Sequence, residues 1–236
     1  MTASEHDITQ IEGAMSFELP GGGHALFTSR ASGNLSTARG DGHERGLEER
    51  EHLCEQLRLR WLCASRQVHG TVVQRVRVQS GAGGQALAID ADGHATCLQG
   101  VGMTIVAADC LPVALGCEGA VAMLHAGWRG LAAGVLEQGV LALEELGCRG
   151  EIAAVVGPCA GLCCYEVGPD VHAAFSGAHR DGRRIDLRAI AEEKLLAAGV
   201  AHVGHARVCT ICDERFFSHR REGVRAGRQA GVAWLS

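Results

Sequence analysis

The longest apolar region of the chain runs from residue 101 to residue 130, VGMTIVAADCLPVALGCEGAVAMLHAGWRG. Short continuous apolar runs bounded by turn residues suit strands buried on both faces. TIVAAD (104–109) and AVAMLHA (120–126) therefore predict two buried strands, with VALG (113–116) a shorter one between them. A helical pattern begins at about Gly130. Four residues that an apolar core does not favour interrupt the run: Asp109, Cys110, His125 and Arg129. A membrane span needs ~20 uncharged residues, and these interruptions, with Glu118, leave no such stretch. Cys110 falls just past one strand end, and His125 falls at another, ahead of a Gly-Trp-Arg-Gly turn into a helix. Strand ends that face a helix entry are where α/β proteins place their chemistry.

The same reading extends in both directions. Residues 1–14 are polar and expected to fray. FELP (17–20) and GGGHALFTSR (21–30) predict a strand, a glycine turn and a second strand, and 31–42 a loop. Leu47, Arg50, Leu53, Cys54 and Leu57 recur at helical spacing over 44–59. Residues 61–78 read as two strands with QVHG (67–70) between them, 80–85 as a flexible link, and 86–97 as a short strand and loop. A helix is predicted over 131–147, ending at Gly147, and a buried strand over 151–157. A Gly- and Cys-rich loop (157–170) leads to a helix near 169–175 with Pro169 in its first turn. Asp186 caps a helix over 185–199 that stops at Gly199. HARVCTIC (205–212) starts as a strand and ends in a turn, 213–229 is polar and Arg-rich, and GVAWL (231–235) is a final strand. Strands and helices are mixed from end to end, with no linker between domains and no repeat. The expectation is an α/β (α+β) fold, a single domain over 1–236 with mixed β-sheets layered with helices.

Composition narrows the function classes. With 236 residues, 47% of them apolar and 21% charged, the chain can bury a sizeable core. The net charge of −5 gives no basic footprint for nucleic acid, and aromatics at 4% supply no base-stacking platform. The polar N-terminus, MTASEHDITQ, has no signal-peptide pattern, which leads to the expectation of a cytoplasmic protein. The eleven cysteines are then expected to stay reduced, most of them as small core residues, with Cys/His clusters read as metal or catalytic groups. No GxGxxG or Walker A loop is present.

His69, Cys110 and His125 lie 41 and 15 residues apart, each at a strand end and each flanked by Gly or Pro. Two imidazoles and a thiolate make a zinc set with a fourth position open. The same atoms also support a cysteine hydrolase, with Cys110 as nucleophile, His125 or His69 as base, and Asp109 or Asp92 as orienting group. A structural zinc site from Cys209 and Cys212 with Cys159, Cys163 or Cys164 is a third candidate, although a packed Cys-rich loop is the simpler reading. Arg129, at a helix entry, can meet an anion, or it can be an ordinary surface arginine.

QVHG (67–70), ADC-L-PV (108–113), HAGWRG (125–130), GP…CYEVG (157–168) and CT…FFSHRR-G (209–223) occur here in one order. Together they resemble the bacterial laccase-domain, or multicopper polyphenol oxidase, family, from about Phe27 to the C-terminus. The resemblance implies a YfiH-like mixed sandwich and a zinc ion held by His69, Cys110 and His125. It also implies phosphorolysis of adenosine, inosine, guanosine or methylthioadenosine to free base and ribose 1-phosphate, with adenosine deamination as a second activity. The implied partners are a purine nucleoside and phosphate, and the chain can form a homodimer; no nucleic acid or membrane is expected. Arg50 and Arg129 are the candidates for holding phosphate, Gln67 for a base or ribose contact, and Asp109 or Asp92 for orienting a ligand histidine or carrying a proton. A copper oxidase would want His-x-His pairs, and the twelve histidines include none, although a His/His/Cys site can also take up copper(II). A non-enzymatic partner in cell-wall editing is the remaining alternative. The chain departs from the family pattern at TSRASGNL (28–35), at Glu49-Arg50 and at His219.

Overall fold

The computed structural model describes residues 11–37, 43–77 and 89–236. The expectations for residues 1–10, 38–42, the link 80–85 and the start of the 86–97 segment lie outside the described residues.

Two sheets carry the fold. In chain order their strands are β1 (Met15–Leu19), β2 (Gly23–Phe27), β3 (Trp61–Cys63), β4 (Val73–Val76), β5 (Gly93–Thr96), β6 (Val101–Ala107), β7 (Leu111–Glu118), β8 (Ala120–Ala126), β9 (Arg149–Val156), then, beyond a two-residue hairpin of β10 (Arg180–Asp181) and β11 (Arg184–Ile185), β12 (His202–His205) and β13 (Gln229–Leu235). The five-stranded sheet has the order β1-β2-β13-β6-β3, and the six-stranded sheet β12-β9-β7-β8-β5-β4. Both are mixed: β3 runs parallel to β6, β12 to β9 and β4 to β5, while the remaining neighbours are antiparallel. The helices are α1 (His43–Gln56), α2 (Trp128–Ala133), α3 (Val135–Glu145), α4 (Pro169–Ala174), α5 (Leu187–Ala197) and the short α6 (His219–Glu222). None of the described helices is long and apolar enough to cross a membrane.

Period-two alternation sorts the side chains into layers. Ala25, Phe27, Met103, Ile105, Ala233, Val121 and Met123 fill the space between the sheets. The opposite faces of the same sheets meet helices. Leu111, Val113 and Leu115 of β7 and Leu124 of β8 pack on Leu131, Val135, Leu136, Leu143 and Leu195 from α2, α3 and α5. Leu26, Val232 and Trp234 meet Leu53 of α1. The result is a helix-sheet-sheet-helix stack, the mixed α/β architecture that the strand and helix patterns predict.

Some expectations need correction. The predicted 131–147 helix is two helices, broken at Gly134, which adopts a left-handed φ of 102°. The strand expected to start at 205 ends there instead. β12 is a half-exposed edge strand, so it carries no apolar signature. β6 begins at Val101 rather than 104, because Gly102 continues the strand: a Cβ there would come within 2.5 Å of Leu62. Leu47, assigned to the buried face of α1, is 40% exposed. Cys117 and Cys148 are joined in a disulfide, against the expectation that the cysteines are reduced. The two lie beside each other because the end of β7 pairs with the start of β9, Glu118 opposite Arg149.

Candidate metal centre

Strand register brings the central residues together. In the antiparallel β7–β8 pair, Leu111 faces Ala126 and Pro112 faces His125, so Cys110, just before β7, lies next to His125 at the end of β8. In the β5–β8 pair Gly93 faces Leu124, which puts Asp92 beside His125 from the other side. His69 arrives on the loop between β3 and β4. That loop is pinned by Asp92, whose carboxylate accepts the backbone N–H groups of Val68 (3.1 Å), His69 (2.9 Å) and Gly70 (2.7 Å). Three N–H groups converging on one carboxylate require a tight turn, and His69 adopts a positive φ of 60°.

His69, Cys110 and His125 offer donor atoms that all lie within 4.8 Å of one another. Cys110 Sγ is 3.9 Å from His69 Nε2, and the two imidazole rings meet edge to face, 4.9 Å between centroids. His125 Nδ1 donates to Asp92 Oδ1 at 2.8 Å, which leaves its Nε2 for the cluster. A carboxylate holding the far nitrogen of a histidine is the arrangement that fixes a metal-ligating imidazole. The cluster is closely walled. A Cβ on Gly127 would stand 2.6 Å from His69 Cδ2 and 3.2 Å from Cys110 Sγ, and one on Gly130 would stand 2.7 Å from the Gly70 carbonyl oxygen. The glycines of HAGWRG thus let α2 close against the His69 loop.

The electrostatics match this geometry. Burial works against the Cys110 thiolate, but the His125 charge and hydrogen bonding from both histidines outweigh it and lower the thiol to about 6. Burial likewise disfavours the His125 cation, yet the Cys110 thiolate and Asp92 raise it to about 9. Burial pushes Asp92 up, and its bonds to His125, Gly70 and Val68 bring it below its ordinary value. Cys110 and His125 are thus a thiolate–imidazolium pair, and a metal that displaced the His125 Nε2 proton would meet a soft thiolate and two imidazoles around one point, a set that fits zinc and also copper(II).

The other residues singled out in the sequence have different surroundings. Both ends of the Gln67 amide meet the β6 backbone: Nε2 donates to Val106 O (2.7 Å) and Oε1 accepts Val106 N–H (2.8 Å), which clamps the loop to β6. Asp109 bonds no histidine among the described residues. It accepts from Thr210 Oγ1 (2.7 Å), Ser218 Oγ (3.1 Å) and Arg220 N–H (2.7 Å), anchoring the Arg-rich segment beside Cys110, and it too has a positive φ, 85°. Of the two candidate orienting carboxylates, Asp92 is the one that meets a histidine. Arg129 is exposed, lies over the Trp128 ring at 4.3 Å and has no ion pair among the described residues. Arg50 is far more enclosed. Its Nε donates to Leu35 O at 2.9 Å, burial lowers it to about 10, and no contact joins it to the cluster among the described residues. Of two further neighbours, Tyr165 escaped the sequence reading and Arg220 was read only as part of the Arg-rich segment. Tyr165, the chain's one tyrosine, is buried near Cys110, and burial followed by the Cys110 charge raises its hydroxyl. Arg220 stacks over Tyr165 at 4.8 Å while its Nη1 donates to Glu166 O at 2.7 Å. The signal for both was their place in the CYEVG and FFSHRR-G stretches.

Fold and site together define a two-sheet α/β sandwich with a His/Cys/His cluster at the strand ends. A family model described as multi-copper polyphenol oxidoreductase laccase matches residues 20–236, and the chain belongs to that family. It is 40% identical to a protein of Xylella fastidiosa named purine nucleoside phosphorylase, over 92% of this chain and 88% of the relative. It is 39% identical to a Pseudomonas aeruginosa protein of the same name, over 83% of each chain. Among solved structures, a Neisseria meningitidis protein superposes with a TM-score of 0.80 at 31% identity, covering 95% of this chain and all of that one (100%). YlmD from Geobacillus stearothermophilus gives a TM-score of 0.80 at 30% identity, covering 91% of this chain and 92% of that one.

Proposed function

We propose that this chain is a zinc-dependent purine nucleoside phosphorylase, a single domain over 1–236 that acts in the cytoplasm. The observation that carries the reading is the convergence of His69, Cys110 and His125 on one point with Asp92 behind His125. Relatives named purine nucleoside phosphorylase over most of their length support the reaction class. The substrates proposed are inosine, adenosine, guanosine and methylthioadenosine, with adenosine deamination as a side activity of the same centre.

When bound, zinc would be held by His69, Cys110 and His125 and would supply Lewis acidity. The chain's own residues do the rest. Asp92 keeps His125 in the tautomer with Nε2 free, and it fixes the His69 loop through three N–H groups. Arg129, without a carboxylate partner among the described residues, and Arg220, held beside Cys110 by Asp109, are the cations placed to receive phosphate. Arg50 stays a second-rank phosphate candidate, because its contacts lie with Leu35. The Tyr165 ring covers the same side and helps exclude water.

The test is release of hypoxanthine from inosine by zinc-quantified protein, followed by chromatography with and without phosphate. Phosphate-dependent release that disappears in His125→Ala, together with the zinc of the His69/Cys110/His125 cluster, supports the reading. Zinc-loaded protein that releases no base from any of the four nucleosides would sink it. The competing cysteine-hydrolase reading draws on the lowered Cys110 thiol beside two histidines. It predicts that Cys110→Ser loses activity on an ester or amide substrate while metal content does not matter.

A further inference from the structure

We propose a second metal centre in this chain: a structural zinc site formed by the thiolates of Cys163, Cys164, Cys209 and Cys212. It stands apart from the His69/Cys110/His125 cluster and does not depend on the phosphorylase reading.

The four sulfurs come from two loops and lie within 4.8 Å of one another. The shortest separations are 2.8 Å between Cys164 and Cys212 and 3.3 Å between Cys163 and Cys212. With Zn–S bonds of ~2.3 Å, a regular tetrahedron has S···S edges of ~3.8 Å. Both separations are shorter than that edge, so a metal would spread these sulfurs apart, within a cluster in which all four already lie inside 4.8 Å of one another. Cys159, a candidate partner by sequence, is not part of it. Its thiol is buried 3.5 Å from Arg188 Nη2.

The backbone around the sulfurs is built for this. Thr210 N–H donates to Cys159 O (3.0 Å) and Cys159 N–H to Val208 O (3.4 Å), joining the two loops side by side. Gly161 O accepts the N–H groups of Cys164 and Tyr165, both at 3.0 Å, and Cys209 O accepts that of Asp213 at 3.0 Å, so each cysteine pair sits on a closed turn. Gly161 N–H donates to Cys209 Sγ at 3.2 Å, the kind of contact that supports a ligating thiolate. A Cβ on Gly161 would reach Cys163 Sγ at 3.3 Å and Cys209 Sγ at 3.4 Å, so this backbone packs directly on the cluster. Zinc with four thiolates carries a net charge of about −2. Two guanidinium groups lie against the ligand-bearing loops: Arg184 donates to Cys163 O (3.3 Å), and Arg221 donates to Thr210 O (2.7 Å) and Ile211 O (2.9 Å). No carboxylate takes part in the cluster among the described residues.

The placement gives the centre a purpose. One loop goes on to Tyr165, and the other to Thr210, Ser218 and Arg220, which Asp109 holds next to Cys110. A zinc ion between the loops braces the wall of the first site without touching it.

The experiment is metal stoichiometry on the full chain, purified and reconstituted with zinc under a thiol reductant without oxygen. The wild type is expected to bind two zinc ions per chain. His125→Ala and the pair Cys209→Ser/Cys212→Ser are each expected to bind one, and their combination none. Cobalt reconstitution of His125→Ala is expected to give the strong thiolate-to-cobalt charge-transfer absorption of a four-sulfur site, and Cys212→His, which keeps a ligand, to retain the second ion with a weaker band. Should the Cys-to-Ser pair unfold the chain, the Cys212→His spectrum and the His125→Ala count decide the matter. One ion in the wild type that is lost in His125→Ala overturns the proposal. So does zinc-free protein in which peptide mapping finds disulfides among these four cysteines.

Discussion

Among single residues, Asp92 holds the most together: it is fully buried, and its two oxygens accept three backbone N–H groups and the His125 ring. Asp92→Asn keeps the shape but turns one acceptor into a donor facing those N–H groups. Zinc affinity, measured by competition with a chelator, is expected to fall ~10–100-fold. An unchanged affinity would strip Asp92 of this role. His94 carries a separate consequence. It is fully buried, bonds Ser65 Oγ through Nε2 (2.9 Å), and is lowered to about 4 by burial and then by Arg50. Its imidazole is neutral in the fold and takes a proton below ~6.5 once unfolded. The unfolded chain therefore binds more protons between these values, and stability falls as pH drops from ~6.5 toward 4. The loss attributable to His94 approaches roughly 3 kcal/mol at the low end. Urea unfolding of metal-free protein at pH 7 and pH 5 checks this: His94→Gln is expected to show a shallower decline than wild type, and parallel curves would refute it.

Among the elements, the end of β8 and the entry to α2 decide the site. Gly127 leaves no room for a side chain between the helix and His69, as the 2.6 Å approach to Cδ2 shows. Its φ of −66° is open to any residue, so Gly127→Ala acts through crowding and not through backbone strain. The variant is expected to fold with a melting temperature within a few degrees of wild type, to bind zinc at least ~10-fold more weakly, and to lose activity in proportion. Calorimetry beside metal titration separates the two effects. This region was also the most legible in the sequence. The apolar run with four polar intruders marked β8 to the residue and β6 in part, and Cys110 and His125 stood out as polar interruptions at strand ends. Elements without an apolar signature were harder to read. β12 is a half-exposed edge strand, and the break between α2 and α3 depends on one left-handed glycine inside an otherwise continuous helical pattern. The sequence also did not show how Gln67 and Asp109 are held. Both stand beside ligands, yet both spend their polar atoms on the backbone and side chains that hold the walls in place.

Across the whole molecule, two sheets pack face to face with helices outside, and their strand ends gather loops distant in sequence at one edge. Residues 69, 92, 110 and 125 meet there only because β5, β7 and β8 are neighbours in one sheet. No local motif encodes that adjacency, which is why the residues alone left the metal and hydrolase readings level until the order of five motifs pointed to a family. The cysteines show the same limit: composition predicted reduced thiols, whereas strand pairing sets Cys117 beside Cys148 and loop pairing gathers four others. The functional reading stands or falls on whether the edge cluster transfers a ribosyl group to phosphate. Phosphorus NMR of zinc-loaded protein with inosine and inorganic phosphate follows that transfer itself. A growing ribose 1-phosphate resonance is expected, matching the hypoxanthine formed and absent from His125→Ala. Hypoxanthine accumulating at an equal rate without phosphate, with free ribose as the other product, would contradict it.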